Sequence, residues 1–280
     1  MFKKNSNELG IGIFAYNRPS HLRRVLISLE NYKIKTAHIF LDGPKNSKDK
    51  IIQKEILFMT KYNPYIKLKL VKNNYNRGLA DSITSGIEYL TKRYKNIIVL
   101  EDDCIPRSEF FNFIYKSIHT QEFKKNLNPI CGYQLPEIQK NEKKYLYPIF
   151  LDFFIPWGWC ISARYWKMYQ KYLKLKNKKK IDNVLLNKIR IITKNKNKSI
   201  WSKDFIEYNM LKSIKIIFPS ISLIKNIGFD GSGVNSGITD VFNSAYLKSK
   251  FKSSVFKIKS DKFLQRKQMK ILIKRVKYFF

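Results

Sequence analysis

Acidic residues are scarce in this chain: 21 Asp and Glu stand against 55 Lys and Arg in 280 residues, a formal net charge of +34. Cysteine is scarcer still. Cys104, Cys131 and Cys160 are scattered, form no CxxC pair and give no even framework, which argues against a zinc ribbon or a disulfide scaffold and fits a reducing cytoplasm. The three histidines, His21, His38 and His119, fall in or beside expected helices and strands away from any ligand edge. They are read as structural or surface residues, and no Ser-His-Asp or HExxH arrangement can be assembled from them. No apolar run approaches the roughly 18–20 residues needed to span a bilayer. The opening stretch MFKKNSNELG has no apolar core of the kind a signal peptide carries, so none is expected.

The charge draws in anions such as nucleotides, phosphates and lipid surfaces. It comes with no RNP-like, zinc-finger or helix-turn-helix pattern, so no specific nucleic-acid partner is expected. Hydrophobic residues make up 44% of the chain, enough for a sizeable core.

The first 135 residues alternate between two periodicities. Short apolar runs at Ile11–Tyr16, Ala37–Leu41, Ile66–Val71 and Ile97–Leu100 read as strands. Between them, Leu22, Val25, Leu26 and Leu29, a stretch near 47–61, and Leu79, Ile83, Ile87 and Leu90 recur at helical spacing, as do Phe110, Phe113, Ile114 and Ile118 after the fourth strand. Apolar strands separated by amphipathic helices predict an α/β fold, with a mainly parallel sheet and helices on both faces. Ligands of such sheets bind beyond the carboxyl ends of the strands. Here those ends carry Asn17-Arg18, Asp42, Asn73-Asn74 and Glu101-Asp102-Asp103, so polar groups from four strands converge on one edge.

The triplet 101-EDD-103 concentrates three of the few acids at one strand end. Alternation along an extended strand points Glu101 and Asp103 together and Asp102 away. Clustered hard oxygens suit Mg²⁺ or Mn²⁺ shared with substrate phosphates. The competing reading is that the acids favour the start of the following helix.

The stretches 11-IGIFAYNRPSHLRRVLISL-29 and 77-RGLADSITSGIEYLTKRYKNIIVLEDDCIPRSEFF-111, with Asp42 between them, resemble the nucleotide-sugar half of GT-A glycosyltransferases. The nearest types are bacterial family 2-like enzymes and the N-acetylglucosaminyltransferase I group, with its EDD version of the DxD motif. The resemblance covers roughly residues 9–160, continues more loosely to 235, and leaves the tail outside. It implies a GT-A type Rossmann-like sheet and transfer of a sugar from a nucleotide-diphosphate donor to a glycan or lipid-linked acceptor, metal-assisted and inverting, in bacterial surface polysaccharide synthesis. It puts Mn²⁺ or Mg²⁺ on Asp103, ribose or donor sugar on Glu101 and Asp102, and the nucleotide on Arg18, Asp42 and Arg77. Asp42 also reads as a simple Asp-Gly turn, and Arg77 as a solvated helix-start residue.

The second half, residues 136–246, is expected to hold the acceptor and the base. Inverting transfer needs a carboxylate to take the acceptor proton. Asp204 in 201-WSKDF-205 resembles the W-x-x-D segment carrying that base, with Glu207 one turn on as the alternative. An acid favouring a helix N-terminus is the structural reading of Asp204. In 156-PWGWC-160, Trp157, Gly158 and Trp159 resemble the segment beneath the donor sugar, although the indoles also suit a core. Four of the eleven glycines fall in 228-GFDGSGVNSG-237, a loop whose Gly231, Ser232 and Gly233 amides could nest a phosphate. Asn235 stands where related enzymes often have a metal-binding histidine, which leaves Asp230 or water as substitute.

Residues 247–280 form a third, basic segment. Its twelve Lys and Arg and spaced Leu264, Ile271, Leu272, Val276 and Phe279 suit either an amphipathic helix on the anionic inner face of a membrane or a helix packed on the domain. Two other function classes stay open: a sugar nucleotidyltransferase, which usually opens with a glycine-rich loop that Asn17-Arg18-Pro19 does not match, and a basic nucleic-acid- or membrane-binding protein.

Overall fold

The computed structural model describes residues 7–139, 147–174, 187, 201–233, 238–242, 256 and 258–275. The amino-terminal part alternates as its periodicities require: β1 (Leu9–Ala15), α1 (Pro19–Asn31), β2 (Thr36–Leu41), α2 (Ser47–Lys61), β3 (Lys67–Lys72), α3 (Gly78–Thr91) and β4 (Asn96–Glu101). Pro19 opens α1, where a missing N–H costs nothing. The stripe Leu22, Val25, Leu26 and Leu29 is buried against the sheet. Asn46 caps α2 by accepting from the Asp49 amide. Gly78 sits at φ +80°, a conformation that favours glycine, where the chain turns into α3.

These four strands pair in parallel in the order β4-β1-β2-β3. Right-handed crossovers place α1 and α2 on one face and, because the chain jumps from β3 back past β1, α3 on the other. The order reverses between β1 and β4. Their carboxyl ends therefore flank the crevice where an open α/β sheet has room for a ligand.

The chain continues through β5 (Cys104–Pro106), α4 (Ser108–Ile118), α5 (Gln121–Asn126), β6 (Ile130–Cys131), α6 (Pro136–Gln139), β7 (Pro148–Leu151), β8 (Trp159–Ser162) and α7 (Ala163–Lys174). It then forms α8 (Trp201–Leu211), β9 (Ile216–Pro219), β10 (Ile224–Asn226), β11 (Lys259–Ser260) and α9 (Lys262–Arg275). β8 lies antiparallel to β4 and carries the sheet on through β6, β9, β7 and β11 to nine strands. One sheet thus runs through both halves. β5 and β10 form a separate antiparallel pair beside the crevice.

The core is continuous across the sheet and rich in rings: Trp159, Trp166, Tyr133, Phe154 and Phe205 are fully buried. α9 is part of this packing. Leu264 and Leu272 are buried, Gln268 bonds the Asp152 and Phe153 backbone, and Arg275 pairs with Glu137. α9 thus packs on the domain, and Val276 and Phe279 lie outside the described residues. Among the described residues no helix is long and apolar enough to cross a membrane.

Candidate active site at the carboxyl ends of the sheet

β1 and β4 run in register, Phe14 beside Glu101, and the Asp102 amide still donates to the Phe14 carbonyl. There the strand stops. The chain turns over Asp102 and Asp103, and β5 leaves toward β10, held by the Ile227 amide on the Asp103 carbonyl. This turn cancels the strand alternation expected from the sequence. Asp102 and Asp103 come together on the guanidinium of Arg18, whose Nη2 reaches Asp102 Oδ1 and lies 2.8 Å from Asp103 Oδ2. Glu101 lines the crevice beside them.

Burial is the largest influence on the protonation of Glu101, Asp102 and Arg18. Burial, reinforced by Asp103 and opposed by Arg18, holds the Glu101 carboxyl well above the ordinary carboxylate range. Burial also raises Asp102, with Arg18 pulling the other way and Asp103 adding to the rise. On Arg18, burial works against the charge, but the two aspartates outweigh it and keep the guanidinium protonated.

A cleft of about 330 Å³ opens over this cluster. Its lining includes the acids and Arg18, the polar Tyr16, Asn17, Lys45 and Asn76, and the aromatic Trp157, Trp201 and Phe229. The Tyr16 hydroxyl and the Asn17 amide both donate to Asp49. Burial first, then Asp49, pushes the Tyr16 hydroxyl up to about 12, and the bond from Tyr16 helps hold Asp49 down. The cations on the described lining are Arg18 and Lys45.

Asp42 also lines the cleft, but its oxygens are engaged with the protein. Oδ1 accepts from the amides of Gly43 and Arg77 and from Asn73 Nδ2, and Oδ2 from the Gly78 amide and Asn76 Nδ2, all at 2.9–3.2 Å. It ties the end of β2 to the start of α3. The Arg77 amide is one of its donors, and Arg77 is absent from the cleft lining.

The tryptophans divide. Trp157 lines the cleft, wedged edge-on between Tyr133 at 4.7 Å, Phe242 at 5.1 Å and Phe229 at 5.3 Å. Trp159 is wholly buried in β8 and stacks at 5.4 Å beneath Trp201. Gly158, at φ +62°, bends the chain between them, and a Cβ there would strike Ile224. Its closeness is to the core.

Asp204 sits in the first turn of α8, near enough to Tyr169 to help raise its hydroxyl, and Glu207 is buried one turn on. Trp201 and Ser202 of that helix reach the cleft, whereas neither acid lines it. In the glycine loop, Ser232 and Gly233 line the cleft, Gly231 adopts φ +87°, and Asn235 lies outside the described residues. The loop is pinned from α1: His21 Nε2 is 3.1 Å from Asp230 Oδ2, and Asp230 accepts from Ser232. His21 was expected away from the ligand edge; one helical turn carries it back to this loop. His38 and His119 stand off the cleft.

Reading the sequence alone did not single out Tyr16, Lys45, Asn76, Trp201, Asn226 or Phe229 as lining. Trp201 had a signal, since it opens the same W-x-x-D segment as Asp204. The others sit at strand ends or in the loops that follow and carry no pattern of their own.

No protein-family model matches the chain, and no curated protein matches it. Among solved structures, the chain is similar to a mannosyltransferase from Pyrobaculum calidifontis, in complex with GDP-Man and Mn2+, at 9% identity and a TM-score of 0.39. That similarity covers 61% of this chain and 47% of the other, so the chain spans about half the mannosyltransferase's length. It is also similar to a 4-diphosphocytidyl-2C-methyl-D-erythritol synthase from Anaerococcus prevotii, at 14% identity and a TM-score of 0.42, over 78% of this chain and 90% of that one.

Proposed function

We propose that this chain is a glycosyltransferase of the GT-A type, moving a sugar with inversion from a nucleotide-diphosphate donor to a glycan or lipid-linked acceptor. The observation that carries the reading is the composition of one cleft. Two aspartates and an arginine meet at the point where the strand order reverses, in a cleft also lined by aromatic rings and by polar groups with Lys45. The aromatic lining, Trp157 and Trp201, suits the apolar face of a sugar ring. The polar lining suits the nucleoside, with Asp42 setting the position of Asn76 and Gly78.

The residues present fit a divalent ion in one respect that matters. Mg²⁺ and Mn²⁺ are commonly held by one or two carboxylates, with phosphate oxygens and waters completing the shell. Asp102 and Asp103 offer hard oxygens to a single point, the one where Arg18 Nη2 lies. Among the described residues no group of three or more His, Cys, Asp or Glu is arranged to hold a metal ion by itself, so the diphosphate would complete the shell. Bound there, the ion would offset charge on the leaving diphosphate.

Arg18 and Lys45 attract the diphosphate, and the aromatic wall fixes the sugar. Asp204 is the proton acceptor in this reading. It follows cleft-lining Trp201 by three residues on α8, so the two occupy neighbouring surface positions of one helix turn.

The test is product analysis with a panel of nucleotide-diphosphate sugars. Release of nucleoside diphosphate from one donor, stimulated by an acceptor extract and lost in Asp204→Asn, supports the proposal. Pyrophosphate formed from a nucleoside triphosphate and a sugar phosphate would make the chain a nucleotidyltransferase instead.

A further inference from the structure

One guanidinium nitrogen bridging two carboxylates is an arrangement in which a single cation is shared. Arg18 Nη2 reaches Asp102 Oδ1 and Asp103 Oδ2, the carboxylates being nearly buried and the arginine side chain 17% exposed to the cleft. Arg18 leads into α1 but makes no side-chain cap to it. Both oxygens of Asp103 are crowded: Cys104 Sγ lies 3.4 Å from Oδ1, and a Cβ on Gly228 would collide with Oδ2, the oxygen Arg18 holds.

We propose that Arg18 is the resident counter-ion of Asp102 and Asp103. It holds the place a divalent cation takes when a nucleotide diphosphate binds, and it passes from the carboxylates to the diphosphate as the cation enters. The diphosphate step rests on the nucleotide-sugar reading; the competition between Arg18 and the cation does not.

The physical grounds are charge and denticity. A guanidinium and a divalent ion cannot share one point between two aspartates, because their repulsion in a site withdrawn from water exceeds that in bulk solvent. An arginine displaced toward a diphosphate finds paired oxygens matching its planar fork. Each ligand then lowers the cost of the other: the diphosphate draws Arg18 off the carboxylates and completes the cation's shell. Binding of cation and diphosphate is therefore positively coupled, and the coupling is reciprocal. Without diphosphate, Arg18 keeps the cation out.

Mn²⁺ binding to the full chain without nucleotide or acceptor tests this, read by loss of the free-ion electron paramagnetic resonance signal. Wild type is expected to bind weakly. Arg18→Gln, which removes the charge and leaves the carboxylates, is expected to bind Mn²⁺ at least about tenfold more tightly, and adding Asp103→Asn is expected to cancel the gain. Arg18→Gln with wild-type or weaker affinity, in a protein that melts as a folded chain, overturns the proposal. Should Arg18→Gln not fold, Arg18→Lys decides: its single ammonium bridges less well, so a smaller gain is expected, and no gain overturns it. A tighter Mn²⁺ site in a chain that binds no nucleotide diphosphate in any variant would sink the transferase reading while leaving the counter-ion role of Arg18 standing.

Discussion

Replacing Asp42 by asparagine changes one atom and should loosen a whole wall of the cleft. Asp42 is 5% exposed, and its two oxygens accept from five N–H groups. An asparagine must turn its NH₂ toward one set of these donors. The less costly choice faces Asn76 Nδ2 and the Gly78 amide, two bonds to a charged acceptor worth roughly 1.5–3 kcal/mol each. Asn76 can rotate away, but the Gly78 amide is fixed by the helix it begins. The remaining bonds weaken as the charge goes, so the net loss is about 3 kcal/mol. For a chain of this size that lowers Tm by about 6–12 °C. Denaturant unfolding should show a lower midpoint at unchanged slope, and the Arg77 and Gly78 amides should exchange faster. Donor affinity should fall as well, through Asn76 and the start of α3. An Asp42→Asn protein with the wild-type midpoint and protected amides at 77 and 78 would refute the idea that this carboxylate anchors α3.

Three further outcomes are expected. His38 is 1% exposed, and burial, with Lys69, holds its imidazole down to about 4. The unfolded chain therefore takes up protons that the folded chain refuses, and stability present above about pH 6.5 is lost as pH falls toward 4, by about 3 kcal/mol in total. His38→Phe, whose ring suits the Phe40, Tyr89 and Tyr94 cage, should flatten melting temperature against pH in that window. Gly228→Ala drives a methyl into the Asp103 carboxylate, so nucleotide affinity should fall by about tenfold or more, the equivalent of about 1.4 kcal/mol; unchanged binding would mean that the loop does not abut Asp103. Trp157→Ala should cost about 3–5 kcal/mol by emptying the space among Tyr133, Phe229 and Phe242, and Trp157→Phe clearly less, as read by denaturant midpoints.

The amino-terminal layers were legible because each element satisfies one period. Leu22, Val25, Leu26 and Leu29 can share a face only on a helix, and Ile97–Leu100 can be buried on both sides only within a sheet covered on both faces. The meeting of acids at strand ends followed from that topology. Their facing did not, because alternation holds only while the strand continues, and here it ends at Glu101. The second half was harder for the same physical reason. β6, β8 and β9 are two to four residues long, too short for a period to declare itself, and 156-PWGWC-160 reads equally as platform or core until Trp159 is seen paired into β8. Trp157 and Trp159 are separated by one residue and by the φ +62° bend at Gly158, so one indole meets the cleft and the other the interior. Lys45 and Asn76 depend on how loops return over the sheet, which local pattern does not encode.

The measurement closest to the central claim is calorimetric titration of wild type and Asp103→Asn with a panel of nucleoside diphosphates, each with and without Mn²⁺. The account predicts one preferred base, binding strengthened by Mn²⁺ in wild type, and loss of that strengthening in the variant. Equal, weak and salt-sensitive binding of every nucleotide by both proteins would reduce the affinity to net charge and contradict a donor site in this cleft.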